Sequence, residues 1–321
     1  MSVAFTNVAG MSLSGGRREN FFLSLLEYYP QEKRWFLKSL HQVKDEEIRD
    51  RDEIIASWVE QYGLKQLVVD FPLSKPPCEE TCLSNCHGAH SCPRKEVIEV
   101  RQQMDSLLAE DAKLHSENPK RYEQQRNSSQ EVNYSKNLTN KNPDEHLLSR
   151  SFKRKLRKGF VPYWHRPIDF WIWKNYYDQL LEVFKMSYDS FGNVSVMLLA
   201  RLKYLIRHLP KDLTMFESSV EICLIELYRA RIVGRSTLLQ LFDLDLATSA
   251  REHIVEQIEK HMDIFLYEND LDTIIKNPQA FESFILSVVG QRMLMRSLRP
   301  IPDWGNSDGG NFIVPSFLAQ G

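Results

Sequence analysis

The sequence predicts an α/β fold, a mixed sheet flanked by helices, on three observations. Two aromatic and aliphatic runs, NFFLSLLEYYP and RWFLKSLHQV, follow one another across a polar turn; the apolar period then becomes helical; and the short, wholly apolar LKQLVVD comes next. A meander, a crossover helix and a buried strand together describe a sheet whose fourth strand pairs in parallel with its first.

Taken in order, residues 2–13 are small and apolar and supply the first strand, and Pro30-Gln31-Glu32-Lys33 turns the second strand into the third. KDEEIRDRDEIIASWVEQYG places Ile48, Ile55, Trp58, Val59 and Tyr62 on one helical face, carries acids in its first turn and stops at Gly63. LKQLVVD ends at Asp70. From Pro72 to about Glu145 the texture changes: a Cys/His loop, a charged helix (RKEVIEVRQQMDSLLAEDAKLH) and a polar stretch with few large apolar residues. LLSRSFKRKLRKGF restores helical character, and VPYWHRPIDFWIWKNYYDQLLEVF is the most aromatic part of the chain. SVMLLARLKYLIRHLP reads as a helix, SSVEICLIELY as a buried strand ending near Glu226, and SAREHIVEQIEKHMDIF as an amphipathic helix. NPQAFESFILSVVGQRMLMRSL has Asn277 as N-cap, Pro278 in its first turn and Phe281, Phe284, Ile285, Val288 and Val289 as its stripe. NFIVPSF reads as a short closing strand.

At 321 residues, 42% hydrophobic and 26% charged, the chain can fill one large domain or two ordinary ones. Its formal charge of -2 gives no global attraction to nucleic acid or lipid, so an anion-binding face has to come from local clustering. MSVAFTNVAG lacks the basic and apolar regions of a secretory leader, and no run approaches the roughly 20 apolar residues of a membrane span. A cytoplasmic protein without a membrane partner is the expectation. Asn127, Asn133, Asn137 and Asn193, each in an N-x-S/T match, then read as ordinary polar sequence.

Side chains just beyond strand ends project into the crevice where ligands sit. Asp70 and Glu226 end two expected strands, and Glu282 lies in the first turn of the last strong helix. If that helix crosses the sheet, the carboxylates converge, and oxygen ligands there suit Mg²⁺ or Mn²⁺ and phosphodiester hydrolysis. Each acid also has a plain structural reading: Asp70 capping a turn, Glu226 paired with Arg229 or Arg231, and Glu282 as an N-terminal helix acid.

AGMSLSGG, VVDFPLS, LIELY and AFESFILSVVGQRM followed by GGNFIVPSF occur in an order that resembles a large family of predicted nucleases with an RNase H-like fold, usually labelled a domain of unknown function. The family reads roughly Gly-Ile-Asp, Ile-Asp-Ala-Pro-Leu, Glu-Val-Tyr/His-Pro and Asp-Ala-x-x-Ala before a closing Gly-x-Ile-x-x-Pro. The resemblance implies an RNase H-like mixed sheet flanked by helices; the Cys/His-rich insertion and the extra helical region are read from the residues between the matching places. It implies a metal-dependent nuclease with Asp70, Glu226 and Glu282 as Mg²⁺ or Mn²⁺ ligands. The family's first acid falls on Ser12, an uncharged substitute, and Glu282 is one methylene longer than the family's Asp. Those departures imply the alternative, a catalytically impaired module of the same fold that binds nucleic acid or protein. The expected division is 1–75 and 216–321 for the two parts of the core, 76–150 for the Cys-rich insertion and 151–215 for the basic and aromatic helical region.

A polyanion needs a cationic surface, and Lys153, Arg154, Lys155, Arg157 and Lys158 supply one, with Arg150 and Arg166 beside them. Tyr163, Trp164, His165, Trp171 and Trp173 follow, either as stacking platforms for single strands or as core. Cys78, Cys82, Cys86 and Cys92 with His87 and His90 can close a tetrahedron around structural Zn²⁺ in a loop too polar to order itself. An iron–sulfur cluster is the less favoured occupant, free thiols the bland reading, and Cys223 reads as core.

Overall fold

The computed structural model describes residues 7–12, 21–43, 51–80, 86, 88–120, 122–123, 150–186, 203–306 and 311–318. The chain divides into two compact units: Met1–Leu73, Val194–Pro300 and Asn311–Gly321 form unit 1, and Ser74–Asn193 and Ile301–Gly310 form unit 2.

In unit 1, β1 (Asn7–Ser12), β2 (Phe21–Tyr29) and β3 (Arg34–Val43) meander antiparallel, α1 (Arg51–Gln61) crosses over, and β4 (Gln66–Val69) returns parallel to β1. This is the order expected from the sequence. Gly63, at φ 57, sits in the left-handed region that ends α1, where a side chain would be strained. Unit 2 then supplies α2 (Pro77–Glu80), a 3-10 turn (Ala89–Ser91), α3 (Lys95–Glu117), α4 (Arg150–Lys158) and α5 (Pro167–Glu182). Unit 1 resumes with β5 (Thr214–Glu217), α6 (Val220–Arg229), α7 (Arg235–Gln240), α8 (Ala247–Met262), β6 (Ile264–Phe265), α9 (Glu268–Lys276) and α10 (Pro278–Leu294). The mixed sheet has six strands in the order β5-β4-β1-β2-β3-β6, with β5 parallel to β4 and β6 parallel to β3. Among the described residues no helix is long and apolar enough to cross a membrane.

Strand alternation divides the core between two faces. Ala9, Met11, Leu23, Leu25, Leu67 and Val69 pack with Ile55 and Val59 of α1 and with Leu205 and Leu209, and Trp58 and Tyr62 extend that cluster. Ile48, expected on the same stripe, lies outside the described residues. Val8, Gly10, Ser12 and Val68 alternate to the opposite face, and α10 lies across β1, β2 and β4. Asn277 starts α10 as expected: its side-chain oxygen accepts the N–H groups of Gln279 (2.9 Å) and Ala280 (3.2 Å), and Pro278 occupies the first turn.

Small residues set how close α10 comes. A Cβ on Gly10 would lie 2.2 Å from the Ser287 backbone nitrogen and 2.3 Å from the Ser283 carbonyl oxygen, and one on Gly290 would lie 2.3 Å from Val8 Cγ2. The Ser24 hydroxyl donates to the Ser283 carbonyl at 2.5 Å, tying β2 to the helix at the same point.

The largest departure from expectation is at α6. SSVEICLIELY is helix α6 rather than a strand, and the strand before it is the short TMFE of β5. Ile222 to Arg229 are all buried, so the helix shows no polar face and its period is hidden. Its start is nonetheless marked, because the Ser219 hydroxyl accepts the Ile222 N–H at 3.3 Å. NFIVPSF makes isolated bridges, Phe312 beside Glu217 and Pro315 beside Leu298.

Candidate functional site

The parallel register of β1 and β4 pairs Gly10 with Val68 and Met11 with Val69, so the next positions, Ser12 and Asp70, come side by side at the strands' carboxyl ends. Both alternate toward α10, and the close approach at Gly10 seats the first turns of that helix above them. The result is a three-residue contact. The Ser12 hydroxyl oxygen is 2.7 Å from Asp70 Oδ2 and 2.8 Å from Glu282 Oε2, and Ser12 itself is only 1% exposed. Residues far apart in the chain, Ser12, Asp70 and Glu282, are thus brought together as expected.

A serine hydroxyl has one hydrogen, and here two carboxyl oxygens lie within its reach. Both contacts are satisfied at once when one carboxyl is protonated and donates to Oγ while the hydroxyl donates to the other. Glu282 is the group suited to hold that proton. Burial pushes its carboxyl up to about 7; the Ser12 hydroxyl opposes this, and the charges of Asp70 and Glu221 reinforce it. Glu221 was not legible as a site residue. It lies in the first turn of α6, where Ser219 Oγ donates to its Oε2 at 2.6 Å, and a segment read as a strand hides a helix N-terminus.

Glu226 does not end a strand. It is buried in α6, where Arg229 Nη1 (2.9 Å) and Arg299 Nη1 (2.7 Å) both donate to its Oε1. Two guanidinium groups already compensate its charge. Glu226→Ala should therefore destabilise the protein by about 3–5 kcal/mol in urea unfolding, because it strands the buried Arg229 without its counter-charge. The acid that does end the fifth strand is Glu217. It pairs with Val69, whose face is that of α1, and its Oε2 accepts the Leu73 N–H at 2.9 Å, fixing the chain as it leaves Asp70.

In unit 2 the basic run divides. Lys153 turns inward to the Asp111 carboxylate and the Tyr122 hydroxyl, so it is a structural cation rather than part of an outer strip. Lys155 is half-buried, whereas Arg154, Arg157 and Lys158 are exposed. The aromatics divide likewise: His165, Trp171 and Trp173 are buried, and Tyr163 and Trp164 are 66% and 47% exposed.

Of the Cys/His loop, Cys78 is half-buried with its N–H donating to the Pro162 carbonyl (3.0 Å), Cys86 and His90 are exposed, and Cys92 is buried. The Cys86 sulfur accepts the Gly88 N–H at 3.4 Å. Cys82 and His87 lie outside the described residues. Among the described residues no three His, Cys, Asp or Glu side chains gather as a metal ion would need. Cys223 is buried in α6, and burial raises its thiol pKa, in keeping with a core residue.

Comparison of the chain with protein-family models, with curated proteins and with solved structures found no match in any of the three.

Proposed function

We propose that the chain has an RNase H-like fold and is a phosphodiester hydrolase whose crevice, at the carboxyl ends of β1 and β4, takes one divalent cation. The observation that carries this reading is the convergence of Asp70 and Glu282 on Ser12. The order of elements supports the fold: a three-stranded meander, a crossover helix, then β4 and β5 parallel to β1.

The donor set fits one ion and not two. Mg²⁺ keeps most of its waters and commonly takes one or two carboxylates, which Asp70 and Glu282 can provide. Burial is the main cause of the raised Glu282 pKa, and the charges of Asp70 and Glu221 add to it; a cation between Asp70 and Glu282 would offset that added part. We assign no second ion, because among the described residues the first-strand position is Ser12, not an acid, and Glu226 is held by arginines. A bound cation would polarise a phosphoryl oxygen and acidify a water. Ser12 would orient the two carboxylates. Zn²⁺ enters this reading as a structural ion of the loop carrying Cys78, Cys82, Cys86 and Cys92, with zinc content of the purified protein as its check.

With Mg²⁺ or Mn²⁺ present, hydrolysis of single- and double-stranded DNA and RNA is expected, and Asp70→Asn should lower the rate at least about 100-fold. Undiminished hydrolysis by Asp70→Asn sinks the assignment.

One observation favours a second reading, a non-catalytic binding module of the same fold. Ser12 ties the two acids together with no ion required. Absence of Mn²⁺ binding heat, together with salt-sensitive retention of nucleic acid, would select it.

A further inference from the structure

We propose that the exposed end of α4 and the turn after it form a docking surface for single-stranded nucleic acid. This rests on the reading above only in taking a nucleic acid as the ligand; the surface lies wholly in unit 2 and needs no cation at Asp70.

The argument starts from which way α4 faces. Phe152 and Leu156 are buried and Lys153 is spent on Asp111 and Tyr122, so the helix is anchored along that side. Arg154, Arg157 and Lys158, spaced i, i+3 and i+4, therefore share the outer side. Among the described residues none of the three has an ion-pair partner. Their charge is added to the negative-leaning carboxyl end of the helix, where cations are favourable, and points at solvent.

The chain then turns sharply at Gly159, whose φ of 82 lies in the left-handed region. A Cβ there would lie 3.5 Å from the His90 ring, so the Cys/His loop abuts the turn. Trp164 N–H (3.0 Å) and His165 N–H (2.9 Å) both donate to the Val161 carbonyl, and the Pro162 carbonyl accepts the Cys78 N–H. This hydrogen-bonded turn presents Tyr163 and Trp164, at 66% and 47% exposure, with no ring partner among the described residues. Tyr163 follows Lys158 by five positions, so the Cα atoms of these two residues lie within about 18 Å of each other.

Large aromatics held out in water beside unpaired cations suit one polymer best. Bases stack on the rings while the backbone follows the charge, and stacking needs bases freed from a duplex. A purely acidic protein segment would use the cations and leave the rings idle.

The test uses the full chain in EDTA, with fluorescence anisotropy of a labelled single-stranded deoxythymidine oligomer, its duplex with deoxyadenosine, and polyglutamate as competitor. Single strand should bind more tightly than duplex, with log K falling against log salt at a slope of about −2 for three phosphate contacts. Trp164→Ala should weaken binding by about 5- to 150-fold with an unchanged melting temperature. Arg157→Gln with Lys158→Gln should flatten the slope to about −0.7. Unaltered binding by Trp164→Ala, equal or tighter binding of duplex, or displacement by polyglutamate as effective as by unlabelled single strand overturns the proposal, the last in favour of an acidic protein partner. If Asp70→Asn leaves hydrolysis unchanged while this binding stands, only the catalytic assignment fails. If hydrolysis is lost in Asp70→Asn while Trp164→Ala binds as the parent does, only the docking surface fails.

Discussion

Gly10→Ala is expected to cost at least about 3 kcal/mol, a large part of the roughly 5–15 kcal/mol that holds a domain folded. The added methyl would fall 2.2 Å from the Ser287 nitrogen, 2.3 Å from the Ser283 oxygen and 2.7 Å from the Leu286 carbonyl carbon, all backbone atoms of α10. No side-chain rotation relieves that overlap. Relief requires the helix to lift from β1, which also stretches the hydrogen bond from Ser24 to Ser283. Gly290→Ala is the informative comparison, because its new methyl meets side-chain rather than backbone atoms, Val8 Cγ2 at 2.3 Å and Val8 Cγ1 and Val68 Cγ2 at 3.2 Å, so relief needs a shift of two valine side chains. It should cost clearly less. Urea midpoints of the two variants check the order, and equal midpoints would mean that α10 does not rest on Gly10. Because the same helix carries Glu282, lifting it should also loosen the contact with Ser12.

The second large effect is a dependence of stability on pH that Glu282 imposes. Its carboxyl titrates near the ordinary 4.5 in the unfolded chain and near 7 in the fold, raised first by burial and then by the charges of Asp70 and Glu221. Between those values the folded state binds more protons than the unfolded state, so stability falls as pH rises. The contribution is neutral below about pH 4.5, and the loss is complete above about pH 7, where it reaches roughly 3 kcal/mol. Glu259 and Asp270, also raised by burial, tilt the curve the same way, and His41, lowered by burial, tilts it oppositely, so the wild-type profile alone does not isolate Glu282. The difference from Glu282→Gln does. Unfolding free energies of both proteins from pH 4 to 8 should diverge across this window, the variant losing less. Parallel curves would place the buried proton elsewhere.

Both effects rest on features that were unequally legible in the sequence. The meander, α1 and β4 could be read because each has one buried and one wetter side, or is short enough that only a strand fits. The meeting of Ser12, Asp70 and Glu282 followed from that topology and from the Asn277 cap, which starts α10 at Pro278 and so puts Glu282 in the second turn rather than the expected first. Helix α6 was misread because burial on every side erases the pattern that tells a helix from a strand, and Glu226 was misplaced with it. Strand β5 is too short and too mixed to announce itself. The basic run could not be divided from sequence: Lys153 is structural only because Asp111 and Tyr122 come to meet it from other parts of unit 2. Gly10 looked like part of a small, apolar strand, and its importance lies in which backbone passes above it.

The bridge beside β5 bears on solubility. Glu217 N–H donates to the Asn311 carbonyl at 3.0 Å, and Ile313 N–H donates to the Glu217 carbonyl at 2.8 Å, so a segment near the chain's end covers the outermost strand on that side of the sheet. An uncovered strand border recruits other chains through its unpaired amides and carbonyls. The covering segment therefore acts as a guard against self-assembly, and it does so with two backbone hydrogen bonds and the buried side chains of Phe312 and Val314.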